Sequence, residues 1–193
     1  MSKIREEKEE ILEVSHVNNF YYDNGLGILS KRKKKQVLHD VSFTIHKDEF
    51  FGLVGESGCG KSTLGNAILN MIPFEGSIRI AGAEASATDR KTFTSRVQAV
   101  FQDPMSALNP RKTIGFTLRE PLRAHGIGTP GEQTEAVNRM LERIGLNASY
   151  ADRYPRELSG GQRQRVCIGA ALMLKPELVI ADEAVSALDV SVG

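Results

Sequence analysis

The sequence predicts an α/β fold with a mostly parallel sheet core, an N-terminal antiparallel β part and a helical insert. Three observations carry that expectation. The compact apolar run Phe50–Val54 stops at a glycine-rich turn that leads into a helical pattern. A second apolar run, Leu178–Ala181, stops at two acids, Asp182 and Glu183. Between Pro104 and Lys175 the pattern is mostly helical. Short apolar runs bounded by turns fit strands buried on both faces, and strands alternating with helices build parallel sheets.

Taken in chain order, Ile11–Val17 reads as a short strand behind a solvated, charged tail. Lys31-Arg32-Lys33-Lys34-Lys35 reads as a basic, solvated loop. Val37–Ile45 alternates like a half-buried strand, and Lys47-Asp48-Glu49 is a polar turn. Phe50–Val54 is expected to be a buried parallel strand, followed by a helix over Lys61–Met71 that Pro73 and Gly76 end. Ser77–Ala81 and Val97–Phe101 read as further strands. Helices are expected over Thr113–Ala124, Gly131–Ile144 and Gln162–Leu174, and Leu178–Ala181 returns to a buried strand. The organisation is one domain over residues 1–193, with a sheet core in 11–102 and 163–193 and a helical insert in 103–162.

Bulk properties narrow the function classes. A chain of 193 residues supports one full core. A net charge of +1 supplies no global field for nucleic acid. The two cysteines, Cys59 and Cys167, fit no zinc spacing and read as reduced thiols. The first ten residues are charged throughout, unlike a signal peptide, and no apolar run approaches the roughly 20 residues that cross a bilayer.

Three motifs carry chemistry. Gly55-Glu56-Ser57-Gly58-Cys59-Gly60-Lys61-Ser62-Thr63 fits the nucleotide-phosphate loop, between an expected strand and an expected helix. Its glycines let backbone N–H groups face inward, and those groups with the helix N-terminus favour polyanionic phosphate. Lys61 can reach the terminal phosphates, the Ser62 hydroxyl can ligate Mg²⁺, and Thr63 adds a hydroxyl near the first phosphate. Cys59 reads as a tolerated small residue. At the end of the Leu178–Ala181 run, Asp182 can hold a Mg²⁺ water and Glu183 can act as general base on the attacking water. Leu158-Ser159-Gly160-Gly161-Gln162 opens an expected helix with Ser159 as N-cap. A capped start needs neither two glycines nor the Gln, so a flat, anionic partner is expected to dock there.

Together these elements resemble the nucleotide-binding subunit of ATP-binding cassette (ABC) transporters, a P-loop NTPase fold, from about Ile11 to Gly193. The resemblance implies an ATPase that uses ATP and Mg²⁺ and couples hydrolysis to transmembrane transport. It implies that Gln102, in Phe101-Gln102-Asp103-Pro104, contacts Mg²⁺ and water and couples the sheet to the insert. Tyr21 matches the aromatic that stacks on adenine, although the adjacent Phe20 and Tyr22 leave the register open. Ser186-Ala187-Leu188-Asp189 matches the loop that touches the opposite subunit, with Asp189 at the contact. Two ATPase subunits, identical or different, would pack head to tail, each ATP lying between one phosphate loop and the other subunit's Ser159–Gln162. Partners implied are a second ATPase subunit, integral membrane permease subunits reached through the insert around Met105 to Pro121, and, indirectly, an extracytoplasmic solute-binding protein. The place implied is the cytoplasmic face of the membrane, with no nucleic-acid partner.

A narrower resemblance is to importers of peptides and nickel, carried by Phe101–Arg111, Gly55–Gly60 and Ser186–Val192. Two departures accompany it. Ala184 stands where the family has proline after the catalytic Glu. The family also has a histidine at the end of a further strand, whereas the four histidines here are His16, His39, His46 and His125, which read as surface or structural residues. The resemblance therefore implies a C-terminally truncated chain. In this class the further strand lies between the phosphate-loop strand and the Asp182 strand, so residues 1–193 alone are expected to be poorly stable. Two other functions compete: a non-hydrolysing remnant of such a subunit, and a soluble ABC ATPase acting on nucleic acid or ribosomes. Against the second stand the absence of zinc-ligand cysteines, of a long coiled-coil insertion and of a second cassette.

Overall fold

A computed structural model of the chain describes residues 9–23, 33–101 and 107–181. The chain forms two compact units, Met1–Asp89 and Arg90–Gly193.

The first unit holds β1 (Glu10–Asp23), β2 (Lys33–His46), α1 (Lys61–Ile68), β3 (Glu75–Ile80) and β4 (Ala83–Glu84). The strands form one antiparallel sheet in the order β2-β1-β3-β4, the antiparallel part expected from the sequence. In β1 the inward face changes parity along the strand. Leu12 and Val14 are buried first, then Val17 and Asn19. The ladder to β2 shifts register between Val14 and Val17, and His16 there takes a positive φ of 53°. One extra residue at a bulge turns every following side chain to the opposite face, which reconciles the two parities. Ile78 and Ile80 of β3, Leu38 of β2 and Leu64, Ala67 and Ile68 of α1 are also buried in this unit. Each buried Val, Leu or Ile side chain contributes on the order of 1.5–3 kcal/mol.

Two expectations are corrected here. Lys33, Lys34 and Lys35 are not in a loop: they extend β2, opposite Asp23, Tyr22 and Tyr21. β2 is an edge strand of its sheet, and lysines on an edge strand block pairing with another chain. The second correction concerns Phe50–Val54. This segment forms no strand, and Phe50 and Val54 are 103% and 95% exposed. A buried parallel strand requires ladder partners on both sides, and among the described residues none pairs with it. Phe51 stacks on Phe43 with ring centres 5.0 Å apart.

The second unit contains α2 (Arg90–Arg96), β5 (Val97–Val100), α3 (Ile114–His125), α4 (Pro130–Arg143), α5 (Gly160–Leu172) and β6 (Leu178–Ala181). Short 3₁₀ turns at Ala148–Asp152 and Pro155–Glu157 lead into α5. β5 and β6 pair in parallel, from Val97 opposite Leu178 to Val100 opposite Ala181. Their shared start is clamped by Arg96, whose Nε and Nη2 donate to the two Glu177 carboxylate oxygens at 3.0 and 2.9 Å. The helical core is built on helical spacing: Ile114, Leu118 and Leu122 of α3 meet Val137, Met140 and Leu141 of α4 and Val166 of α5. α2 was not expected from the sequence. His125 ties it to α3, its ring nitrogens lying 3.0 Å from the Pro121 carbonyl and 3.1 Å from the Lys91 carbonyl. No helix among the described residues is long and apolar enough to cross a membrane.

α4 starts with a reciprocal cap. The Glu132 carboxylate accepts from the Thr129 backbone N–H at 2.7 Å and from its hydroxyl at 2.8 Å. Those bonds, the backbone one first, hold the Glu132 carboxyl below its ordinary value. A depressed carboxylate stabilises the fold above its unfolded pKa, and that contribution is lost as pH falls through the folded value. An NMR titration is expected to place the Glu132 midpoint below that of a disordered peptide of the same sequence, and Thr129→Ala should move it upward. Coincident midpoints in protein and peptide would contradict the cap.

Candidate functional site

In the first unit the candidate site is the turn between Phe50–Val54 and α1. Gly58 and Gly60 have φ of +81° and +105°, a region costly to any side chain. A Cβ on Gly60 would also lie 3.2 Å from Leu38 Cδ2 and 3.3 Å from the Val37 carbonyl oxygen, a tight fit in which β2 would have to give way slightly. The turn is drawn together by Lys61, whose Nζ donates to the carbonyls of Gly55 at 2.7 Å and Glu56 at 2.8 Å. Cys59 Sγ lies 3.7 Å from the same ammonium, and the Cys59 thiol is free. A Cβ on Gly55 would meet that sulfur at 2.8 Å, so a side chain there requires the exposed Cys59 side chain to shift.

Gly60 is the N-cap of α1 and offers no side chain to cap it. The first intrahelical bond runs from Leu64 N–H to Gly60 O at 2.8 Å. The N–H groups ahead of it, on Lys61, Ser62 and Thr63, have no acceptor within the helix. Glu56, Ser57, Ser62 and the glycines 55 and 58 are exposed, and Thr63 is half-buried. An uncapped helix start beside a lysine ammonium is electropositive and donor-rich, the chemistry that holds phosphate oxygens.

Of the three aromatics proposed for base stacking, Phe20 carries the Lys34 ammonium 3.4 Å above its ring centre. Tyr21 lies on the opposite face of β1, across from Lys35, and is 47% exposed. The side chain of Tyr22 lies outside the described residues. Of Phe20 and Tyr21, Tyr21 is the more exposed.

In the second unit the candidate site is the start of α5. Ser159 is its N-cap: its Oγ accepts from Gln162 N–H at 3.3 Å, and Gln162 Oε1 accepts from Ser159 N–H at 2.9 Å. The expectation that the cap does not need Gln162 is therefore corrected, because Gln162 completes a capping box. The glycines are different. A Cβ on Gly160 or Gly161 would meet nothing within 4 Å among the described residues, so none of these requires glycine there. Both are exposed, and the helix presents bare backbone. Arg163 fixes the preceding turn, its Nη1 donating to the Leu158 carbonyl at 2.9 Å and the Pro155 carbonyl at 3.3 Å. Gln162 Nε2 reaches the Tyr150 hydroxyl at 3.2 Å. Sequence reasoning missed Tyr150. The Ser-x-x-Gln spacing could have revealed the capping box, but no local pattern links residue 150 to residue 162.

Gln102, Asp182, Glu183, Ala184 and Asp189 lie outside the described residues, as do Met105 and Ser186–Val192. The strands leading to Gln102 and Asp182 are described, and they end side by side with Val100 opposite Ala181.

Comparison with known proteins adds three findings. A family model described as ABC transporter matches residues 38–186. The oligopeptide transport ATP-binding protein AppF of Bacillus subtilis is 45% identical over 190 residues, covering 96% of this chain and 58% of that protein. The dipeptide transport ATP-binding protein DppF of Haemophilus influenzae is 46% identical over 177 residues, covering 89% of this chain and 54% of that protein. The chain thus spans little more than half the length of these relatives. Among solved structures, the dimeric ATP-binding cassette MJ0796, in a post-hydrolysis state bound to ADP and Pi, superposes with a TM-score of 0.77 at 28% identity, over 93% of this chain and 77% of that one.

Proposed function

Because this chain belongs to the ABC transporter family, we propose that it binds and hydrolyses ATP to energise an importer of peptides or nickel. The observation that carries the reading is the start of α1, where an uncapped helix and the Lys61 ammonium converge on one exposed turn. In this reading the backbone N–H groups of residues 55–63 and Lys61 hold the phosphates of ATP, and Tyr21 stacks on the adenine. The names of the relatives AppF and DppF, transport proteins for oligopeptides and dipeptides, favour a peptide over nickel as the solute.

The hydroxyl of Ser62, the carboxamide of Gln102 and the carboxylate of Asp182 are hard oxygen donors of the kind Mg²⁺ takes. Bound Mg²⁺ would neutralise charge on the terminal phosphates. Glu183 then accepts the proton of the attacking water.

Two ATPase subunits pack head to tail, and the bare backbone at Gly160–Gly161 of one faces the ATP held by the other. The dimeric form of MJ0796 and the open space around both glycines support this arrangement. Asp189 would contact the opposite subunit in this arrangement. The protein sits peripherally on the cytoplasmic face of the membrane, held by permease subunits, and an extracytoplasmic solute-binding protein acts through them. Residues 11–102 and 163–193 serve as the sheet core and 103–162 as the helical insert.

The test is hydrolysis by the full-length protein. Glu183→Gln is expected to lower kcat about 100- to 10,000-fold while ATP binding is kept. An unchanged rate removes Glu183 from the chemistry, and a full-length protein that binds no ATP sinks the reading altogether.

A further inference from the structure

Gln162 is held from two sides. A backbone N–H can only donate, so the atom facing Ser159 N–H at 2.9 Å is Oε1, and Nε2 is left pointing at Tyr150. The phenol oxygen accepts from Nε2 at 3.2 Å. The Ser159 N–H sets which way the carboxamide faces, and the bond to Tyr150 is a second point that restrains it there.

Tyr150 is itself well anchored. It lies on the 3₁₀ turn Ala148–Asp152, where Asn147 Oδ1 accepts from Ser149 N–H at 2.9 Å and Asn147 O accepts from Tyr150 N–H at 3.0 Å. The Arg153 guanidinium stacks over the ring at 3.9 Å. Arg153 also ties the turn to the first residue of α3, its carbonyl accepting from Ile114 N–H at 2.9 Å. The ring packs against the helical core, and its hydroxyl emerges beside the start of α5.

We infer that Tyr150 is a positioning residue for the ATP-facing start of α5, acting through Gln162. The inference rests on the proposed ATP sandwich. There, Ser159 and the backbone of Gly160 and Gly161 must be preset before the opposite subunit's ATP arrives. Without the phenol hydroxyl, the Gln162 carboxamide turns more freely and the Ser159 cap opens more often. The arriving ATP must then order the helix start itself.

The experiment compares wild type, Tyr150→Phe, Gln162→Ala and the double variant in the full-length protein. It reads two quantities: hydrogen exchange at the Ser159 amide and the KM for ATP in hydrolysis. Tyr150→Phe keeps the ring and the Arg153 stack. It is expected to raise both quantities about 2- to 10-fold, the worth of one uncharged hydrogen bond. Exchange at Val166, in the middle of α5, should stay the same. In the Gln162→Ala background Tyr150→Phe should change neither quantity. Equal effects in both backgrounds would overturn the inference, as would a Ser159 exchange rate or a KM that Tyr150→Phe leaves unmoved. A wild type without hydrolysis would instead overturn the underlying reading, a result distinct from a defect, or its absence, in Tyr150→Phe alone.

Discussion

Replacing Lys61 with alanine is expected to reduce ATP hydrolysis about 100- to 1,000-fold, the cost of removing one charged donor aimed at transferring phosphate. The geometry explains why no other group would substitute. Lys61 Nζ is the only side chain described as donating to the Gly55 and Glu56 carbonyls, so it both closes the turn and puts a cation at its centre. Its removal leaves those two carbonyls facing the space where the phosphates would lie. Two outward-facing carbonyl dipoles repel an anion, so ATP affinity should fall together with the rate. Lys61→Arg is expected to recover little, because the wider planar guanidinium does not fit the point at which one compact ammonium sits 2.7 and 2.8 Å from two carbonyls. Equilibrium ATP binding and steady-state hydrolysis, measured side by side, check both parts. Near wild-type values for Lys61→Ala would remove the turn from the site.

The second large effect has opposite signs for stability and activity. Gly161→Asp puts a carboxylate in the first turn of α5, where it favours the helix by about 0.3–1 kcal/mol. The new Cβ meets nothing within 4 Å among the described residues, so it displaces none of their packing. The thermal midpoint should therefore hold or rise. Hydrolysis should nevertheless fall by at least about 100-fold, because an unpaired charge would be buried against the opposite subunit's ATP at a cost of about 3–5 kcal/mol. A fall in both quantities would mean that Gly161 serves the fold. No fall in either would mean that nothing docks on this helix start.

Much of the fold was legible because the relevant signals are local. Leu178–Ala181 appears at its expected bounds, although it is not the buried strand expected (Val179 is 39% exposed), and Val97–Phe101 differs by one residue, since both are short apolar runs between polar turns. α3 and α4 follow from helical spacing bracketed by the N-caps Thr113 and Thr129. Where a segment's state depends on distant partners, the sequence was less informative. Phe50–Val54 has the composition of a buried strand, yet strand formation needs ladder partners that composition does not report. Lys33–Lys35 read as a loop by charge, but pairing with Tyr21–Asp23 extends β2 over them. α2 is seven residues with a single buried side chain, Phe93, too short to show a periodic face.

The candidate site divides in the same way. The spacing Gly55-x-x-x-x-Gly60-Lys61-Ser62 predicts a glycine turn that opens a helix, and that turn is present, because backbone conformation and the helix start are set within nine residues. Gln162 looked superfluous to its helix since the capping box was not recognised as local chemistry. Tyr150 could not be found at all: a contact across twelve residues through a 3₁₀ turn leaves no period in the sequence.

The head-to-tail ATP sandwich is tested most directly by mixing two defective subunits. Lys61→Ala keeps an intact Ser159–Gln162 surface, and Gly161→Asp keeps an intact phosphate loop. Where the second ATPase subunit is a different chain, the matching signature glycine of that chain carries the second defect. Each variant paired with itself should be nearly inactive, whereas a mixed pair assembles one composite site from the two intact halves. Hydrolysis in the mixture well above the average of the separate variants is the result predicted. A mixture no more active than that average would contradict the claim that each ATP is shared between the phosphate loop of one subunit and the start of α5 in the other.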